Sequence, residues 1–330
     1  MHDSTPTAGL DRQETLAVLI AATRAPSLHN SQPWVLRLRD GAVDVLADPA
    51  RRLLVADPRG REQRVSCGAA LHNVRVALLA LGHRPVVTVL PDPSDPTLIG
   101  TVRPGGPRPA TAAEQDRFAA IGDRHTQRDE FGSQPVSADT VRAVRGAALR
   151  GGVGLEVVTD PRAVERIAVL ARRAHRVRME DPAFRSEVAR WTAWDGPRDD
   201  GVPAELGGPV LSPSSVWTPS GSAGPPGSAP RSASPLPAFL TTHTDGPREE
   251  VRAGAALQAV LLTATTHGVG VAFLTDLIEV EPMRTSVRRL LGLRRPPQIA
   301  LRLGPATAGP RTPRRAPESV LAPDSDPLPD

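Results

Sequence analysis

The chain contains no lysine, no tyrosine and a single cysteine, and aromatic residues fill only 3% of its 330 positions. With lysine and tyrosine both missing, nothing titrates near pH 10. All 40 basic residues are therefore arginine, and the sequence pI of about 10.7 overstates the charge. The formal net charge is only +4, and the arginines are scattered without interleaved aromatics, which gives no footing for nucleic acid. Arginine does bind phosphate bidentately, so an anionic cofactor stays open.

Other absences narrow the field further. The lone Cys67 excludes an internal disulfide and any multi-cysteine metal site; followed by Gly68, Ala69 and Ala70, it reads as a small buried residue. The eight histidines show no zinc-type spacing. No lysine-bearing phosphate loop, no G-x-G-x-x-G after a strand and no G-x-S-x-G elbow is present, so an NTPase, a Rossmann dinucleotide enzyme and a hydrolase are hard to build. The N-terminus lacks a basic region followed by an apolar run and a cleavage site. Residues 253–275 carry no charge, but Gln258, His267 and a Gly-Val-Gly break make them a helix buried in protein rather than a membrane span. The expectation is a cytoplasmic protein that engages neither membrane nor nucleic acid.

The apolar spacing predicts a helix over 11–25, a hairpin of Trp34–Leu38 and Val43–Leu46 around Asp40-Gly41, and a helix capped by Ser66 that stops at Gly82. A strand over 86–90 follows. From Arg124 onward the pattern gives a helix after Ser137, a strand over 153–158, a helix from Pro161 to about 178, and a further helix carrying Trp191 and Trp194. Residues 195–237 are dominated by Pro, Gly and Ser and cannot bury a core, so they read as a mobile loop or lid about 40 residues long. Then come a helix over 248–267, another from Pro282 to Gly292, a strand over 298–303, and a Pro-rich tail after Arg315.

One feature repeats. Shifting the chain by 186 residues lays Cys67-GAALHNVRVALLALG over Ala253-GAALQAVLLTATTHG, with Gly68/Gly254, Leu71/Leu257, Val74/Val260 and Gly82/Gly268 in register. Each copy is followed by an apolar run and a short strand with Arg and Gly. The expectation is an α+β protein of two tandem half-units, 1–122 and 123–330, each an antiparallel or mixed sheet flanked by helices, forming a pseudo-dimer inside one chain.

Two segments could carry chemistry. Ala25-Pro-Ser-Leu-His-Asn-Ser-Gln-Pro-Trp34 holds Asn30 and Gln32 in a rigid frame between prolines, offering amide donors and acceptors to a planar polar ring; it could equally be a turn with ordinary side-chain caps. Arg124-His-Thr-Gln-Arg128, followed by Phe131, would point Arg124, Thr126 and Arg128 the same way on extended backbone and so cradle a phosphate. It could instead be a solvated loop whose arginines pair with Asp123, Asp129 and Glu130.

APSLHNSQPW resembles the flavin-contacting signature of the FMN-dependent nitroreductases, and RHTQR resembles their phosphate-binding R-x-S-x-R segment. In ordinary members the arginine motif precedes the other, and the flavin lies at a homodimer interface. Here the order is split between the halves, which is similar to the fused, lid-bearing Acg-type group of actinobacterial nitroreductase-like proteins. The resemblance implies a nitroreductase-like fold with one FMN per chain. It implies Ser27, Asn30 and Gln32 against the isoalloxazine; Arg124, Thr126 and Arg128 on phosphate and ribityl oxygens; Thr266-His267-Gly268 near flavin N5; and Arg315 or Arg314 closing over the phosphate. It names no catalytic side chain and no metal. Two functions follow: an oxidoreductase passing electron pairs from NAD(P)H to a small nitro- or quinone-type acceptor, or a protein that stores FMN beneath a lid, with Trp194 or Trp217 over the ring. Because the interface is internal, a monomer is expected.

Overall fold

The first sheet begins as a hairpin because Asp40 and Gly41 both take positive φ, at 49° and 67°, the turn whose twist matches paired strands. In the computed structural model, which describes residues 9–128, 130–192, 197–203, 235–309 and 311–329, that hairpin joins β1 (Trp34–Arg39) to β2 (Ala42–Ala47). It is preceded by α1 (Arg12–Thr23), whose Asp11 and Glu14 form a reciprocal capping box. Next come α2 (Arg61–Ala80), β3 (His83–Val89), β4 (Leu98–Pro107) and α3 (Ala112–Asp123). All pairings in the sheet are antiparallel, in the order β1-β2-β4-β3.

The second sheet is assembled likewise. Its elements are α4 (Ala138–Arg150), β5 (Gly154–Val157), α5 (Pro161–Glu180), α6 (Pro182–Thr192), β6 (Leu236–Thr241), α7 (Pro247–Thr266), β7 (Val269–Phe273), α8 (Asp276–Glu279), α9 (Glu281–Leu290) and β8 (Pro297–Pro305). The order is β5-β6-β8-β7, again antiparallel, so the same strand sequence occurs twice. The difference lies between the first two strands. Two residues link β1 to β2, whereas α5, α6 and the Pro/Gly/Ser-rich segment separate β5 from β6.

Two helices buried at the centre join these units. Gly68 of α2 faces the Val251 carbonyl of α7, and Gly254 of α7 faces the Val65 carbonyl of α2; a Cβ added at either glycine would lie inside the van der Waals envelope of that oxygen. Above this crossing, Gln258 Nε2 donates to Asn73 Oδ1 at 2.7 Å, and Asn73 Nδ2 donates to the Ala21 carbonyl at 2.7 Å. Asn73 and Gln258 are both fully buried; the Asn73 amide is matched on both sides, while Gln258 Oε1 is left without a partner. Arg64 and Glu250 close the other end of the crossing at 2.5 Å.

Several boundaries differ from the sequence reading. Helix α2 starts at Arg61, not at Ser66. Gly60 takes φ 65° at its N-cap, Asp57 accepts from Gln63 N at 2.9 Å, and Ser66 instead donates back to the Glu62 carbonyl within the helix. Helix α3 was not expected, although Thr111 and Glu114 form a capping box there. Of the expected loop 195–237, residues 197–203 are docked against the 25–34 segment and Leu236-Pro237 already belong to β6. The rest of that loop, with Trp194 and Trp217, lies outside the described residues. The tail crosses back to the first sheet, where Leu321 bridges Leu36 in parallel and Ala322 N donates to the Leu36 carbonyl at 2.7 Å. No helix among the described residues is long and apolar enough to cross a membrane.

The crossing gives a direct test. Replacing a mid-helix glycine by alanine ordinarily stabilises by about 0.5–1 kcal/mol. Gly146→Ala in α4, where only the mobile end of Arg150 lies near, should behave that way. Gly68→Ala and Gly254→Ala should instead destabilise by about 1–3 kcal/mol, because backbone must move apart. Thermal unfolding of the three variants checks the sign.

Candidate active site

The segment 26–29 turns sharply on leaving α1, and the conformations it adopts are costly. His29, Asn30 and Gln32 all have positive φ, between 49° and 54°, which non-glycine residues seldom adopt unless the surroundings enforce it. The enforcement is visible. Ser27 Oγ accepts from Gln32 N at 2.9 Å. Asn30 Nδ2 donates to the Gly201 carbonyl at 2.8 Å and to the Pro313 carbonyl at 3.0 Å, while its Oδ1 accepts from Arg314 Nη1 at 2.8 Å. Gln32 Nε2 donates to the Asp199 carbonyl at 2.8 Å, and Oε1 accepts from Arg315 N at 2.9 Å. The two amides thus tie three distant segments together: the turn itself, residues 199–201, and the tail at 313–315.

Arg124 follows α3 directly and Thr126 pairs in parallel with Val271 of β7, so the 124–128 segment runs along the edge of the second sheet. Arg124 is 6% exposed; its Nη2 donates to the Arg24 carbonyl at 3.3 Å, but Nε and Nη1 are buried without a hydrogen-bond partner. Arg314 is likewise enclosed, with Nη1 bonded to Asn30 and Thr312 and Nε left unpartnered. Burial, aided by the like charges of Arg24 and Arg128, pushes the Arg124 guanidinium down to about 10. Burial with Arg124, Arg24 and Arg128 pushes Arg314 down to about 9. Arg128 is depressed by burial too, although its side chain reaches the surface. Arg124 and Arg314 remain protonated at neutral pH, and neither forms an ion pair with a carboxylate among the described residues. Converging buried cations with unspent N–H groups are what an anion with several oxygens would satisfy.

A cavity of about 310 Å³ opens beside this cluster. Ser27, Thr126 and Arg128 line it, together with Glu62 and Val65 of α2, His175 and Arg178 of α5, Phe184 of α6, and the Phe273–Leu277 turn. It therefore lies where both sheets' units and the α5–α6 pair meet. Asn30, Gln32, Arg124, Arg314 and Arg315 are not among its lining residues. His267 and Gly268 are exposed at the end of α7, where His267 Nδ1 lies 2.8 Å from the Thr263 carbonyl and Gly268 takes φ 67°; neither lines the cavity. The stretch of this strand and turn that does is 272–277. Sequence reasoning also passed over Arg24, His29, His175, Arg178 and Asp276, which carry no recognisable spacing. No group of three or more potential metal ligands occurs among the described residues.

The chain was compared with known proteins. No protein-family model matches it. A Mycobacterium tuberculosis protein named "Putative NAD(P)H nitroreductase Rv3131" is 32% identical over 323 residues, spanning 94% of this chain and 92% of its own. A second from that organism, "Putative NAD(P)H nitroreductase acg", is 30% identical over 313 residues, spanning 91% and 92%. Among solved structures, a Desulfitobacterium hafniense nitroreductase with bound FMN aligns over 60% of this chain and 94% of its own, at 16% identity and TM-score 0.40. The NADPH:FMN oxidoreductase of Vibrio harveyi in complex with NAD+ aligns over 64% and 78%, at 14% identity and TM-score 0.41. The structural matches are too distant to bear on ligands; the sequence identity, sustained along nearly the whole of both chains, is what decides membership. The chain belongs to the Acg-type group of the nitroreductase family.

Proposed function

We propose that the chain binds one FMN, with the phosphate among Arg124, Arg128 and Arg314 and the ring in the adjoining cavity, and that it moves electron pairs from NAD(P)H to a small nitro- or quinone-type acceptor. The observation that carries this reading is the set of buried, unpartnered N–H groups on Arg124 and Arg314, neither of which pairs with a carboxylate among the described residues. Arginines pushed down by burial, and further by one another's charge, regain stability when a dianion joins them. The redox chemistry would be supplied by the isoalloxazine when bound. The protein's share is orientation and shelter. Ser27 and Thr126 offer hydroxyls at the lining. Asn30 and Gln32 act by holding Arg314, Arg315 and the turn in place. Assigning His267 and Gly268 to the ring would need closer approach than their exposed position gives, and the 272–277 turn is the better candidate for that contact.

The twofold strand order fits two unequal half-units, 1–122 and 123–330, descended from one ancestor. Only one PSLHN turn and one arginine segment are present, so one site per chain is expected, in a protein that needs no partner copy to complete it.

A storage role is the second reading. It is favoured by residues 199–202, which are pinned on the turn and flank the cavity. Gly201 N donates to the Asn30 carbonyl at 3.0 Å, Asp200 pairs with Arg51 at 2.8 Å, and Val202 lines the cavity. A segment held there could shield a ring from nicotinamide.

The purified protein should be yellow, or become so with added FMN, at one flavin per chain; two per chain, or none, would defeat the assignment. Anaerobic mixing then separates the roles. Bleaching by NADH or NADPH supports the oxidoreductase, and bleaching by dithionite alone supports storage.

Arg124→Leu should move two properties in opposite directions. Removing a buried, incompletely paired charge should raise the stability of the flavin-free protein by about 1 kcal/mol. The same change should weaken FMN binding at least tenfold, at about 1.5–3 kcal/mol for a lost charge-assisted bond. Thermal melts without flavin and fluorescence titration with FMN measure both, and a variant that binds FMN normally would remove Arg124 from the site.

A further inference from the structure

The cavity wall built by α5 and the turn after β7 carries a side-chain pair that phosphate binding leaves unused. His175 Nδ1 lies 3.2 Å from Asp276 Oδ2. The other carboxylate oxygen of Asp276 is 3.8 Å from Arg178 Nε. Arg178 is itself fixed, donating to the Ala56 carbonyl at 3.0 Å and lying 4.7 Å over the Phe184 ring. A carboxylate at Nδ1 sets both the ring's orientation and its tautomer, placing a proton on Nδ1 and leaving Nε2 as the working end. His175 Nε2 is buried without a hydrogen-bond partner, and His175, Asp276 and Arg178 all line the cavity.

Reduction of an oxygen-bearing acceptor needs such a group. A hydride equivalent brings two electrons and one proton. A quinone needs one more proton to become a hydroquinone, and a nitroarene needs one more to become a nitroso compound and water. We propose that His175, oriented by Asp276, hydrogen-bonds the reducible oxygen of the acceptor and delivers this second proton from Nε2, which makes the acceptor a quinone or nitroarene rather than a non-polar oxidant. The electron pair comes from the nicotinamide donor, and the imidazole is recharged from solvent, which reaches 18% of its side chain. This rests on the reading of the cavity as an oxidoreductase site.

A second imidazole shares the wall but suits the task less. His29 is held at φ 51° with Nε2 also unpartnered, and burial pushes its pKa down to about 4, so at neutral pH it has no second proton to give. The other charged groups lining the cavity are Glu62 from α2, Arg128, Arg178 from α5, Asp276 from α8 and Arg302 from β8; α6 contributes only Phe184 and Thr192. Glu62 is engaged by Arg61 at 2.7 Å, but burial beside Glu279 pushes its carboxyl well above the usual carboxylate range, so the His175 variant rather than the wild-type pH profile alone identifies the proton donor. The pair escaped notice in the sequence because its members stand 101 residues apart.

The test uses the flavin-loaded full chain, reduced anaerobically with dithionite and mixed with 1,4-benzoquinone between pH 5 and 9. The wild-type rate should fall as pH rises, because proton delivery limits it. His175→Gln should be slower by about 100-fold at pH 6 and lose that pH dependence. Asp276→Asn should lie between, because the amide no longer fixes the ring's orientation and tautomer. A readout independent of turnover is hydroquinone binding to the oxidised protein, followed by the visible spectrum, which His175→Gln should weaken about tenfold. An unchanged bound-flavin spectrum in the variants shows that they fold. Wild-type rate, profile and hydroquinone affinity in a yellow His175→Gln protein would overturn the inference and leave the flavin reading intact. A wild-type protein that takes up no FMN would overturn both.

Discussion

Everything at the candidate site depends on how closely α2 and α7 approach. Helices pack at 8–10 Å when side chains separate them. Here two glycines let each backbone meet the other's carbonyl, at Val251 and at Val65. That contact sets the distance between the two sheets' units and hence the width of the cleft between them. Val65 lies at the crossing and also lines the cavity, so the packing contact and the site share a residue. Any side chain at Gly68 or Gly254 would widen the cleft that the arginines and the 26–29 turn must span together.

Around that fixed spacing, exchanged arms complete the walls. The segment after α3 reaches the edge of β7 through Thr126, and the tail after β8 reaches β1 through Leu321. Asn30 and Gln32 join the first arm's neighbourhood to the second with a small number of buried amide bonds. These bonds explain why three strained backbone positions, His29, Asn30 and Gln32, persist within four residues: the strain is distributed over partners from 199–201 and 313–315 that would all have to release together. The result is a rigid set of cations that repel one another, held at a cost the fold meets elsewhere. Such an arrangement is costly unless it serves to bind an anion.

Much of the fold was legible locally. Asp40-Gly41 marked the hairpin, Ser137 capped its helix and Pro161 opened the next as expected, and the Gly68/Gly254 register located the two central helices. What failed locally did so for identifiable reasons. Gly60 in a left-handed N-cap lengthened α2 beyond the side-chain cap that seemed to begin it, and the Thr111–Glu114 box lay in a stretch whose apolar content was too thin to suggest a helix. At the site, Ser27, Thr126 and Arg128 were visible because they sit in compact motifs and do line the cavity. His175 and Asp276 were not, since each is an ordinary residue on its own element and only the packing of α5 against α8 makes them a pair. His267 and Gly268 stand at the surface end of α7 and do not line the cavity, whereas the turn that follows does.

The central claim is that guanidinia from the middle and end of the chain hold a phosphate whose attached ring fills the neighbouring cavity. A crystal structure of the protein grown with FMN tests it most directly. The account requires the phosphate within hydrogen-bonding distance of Arg124 and Arg314 and the isoalloxazine against Ser27 and the 272–277 turn, once per chain. A phosphate elsewhere, or a ring lying outside the cavity with those arginines still unpartnered, would contradict it.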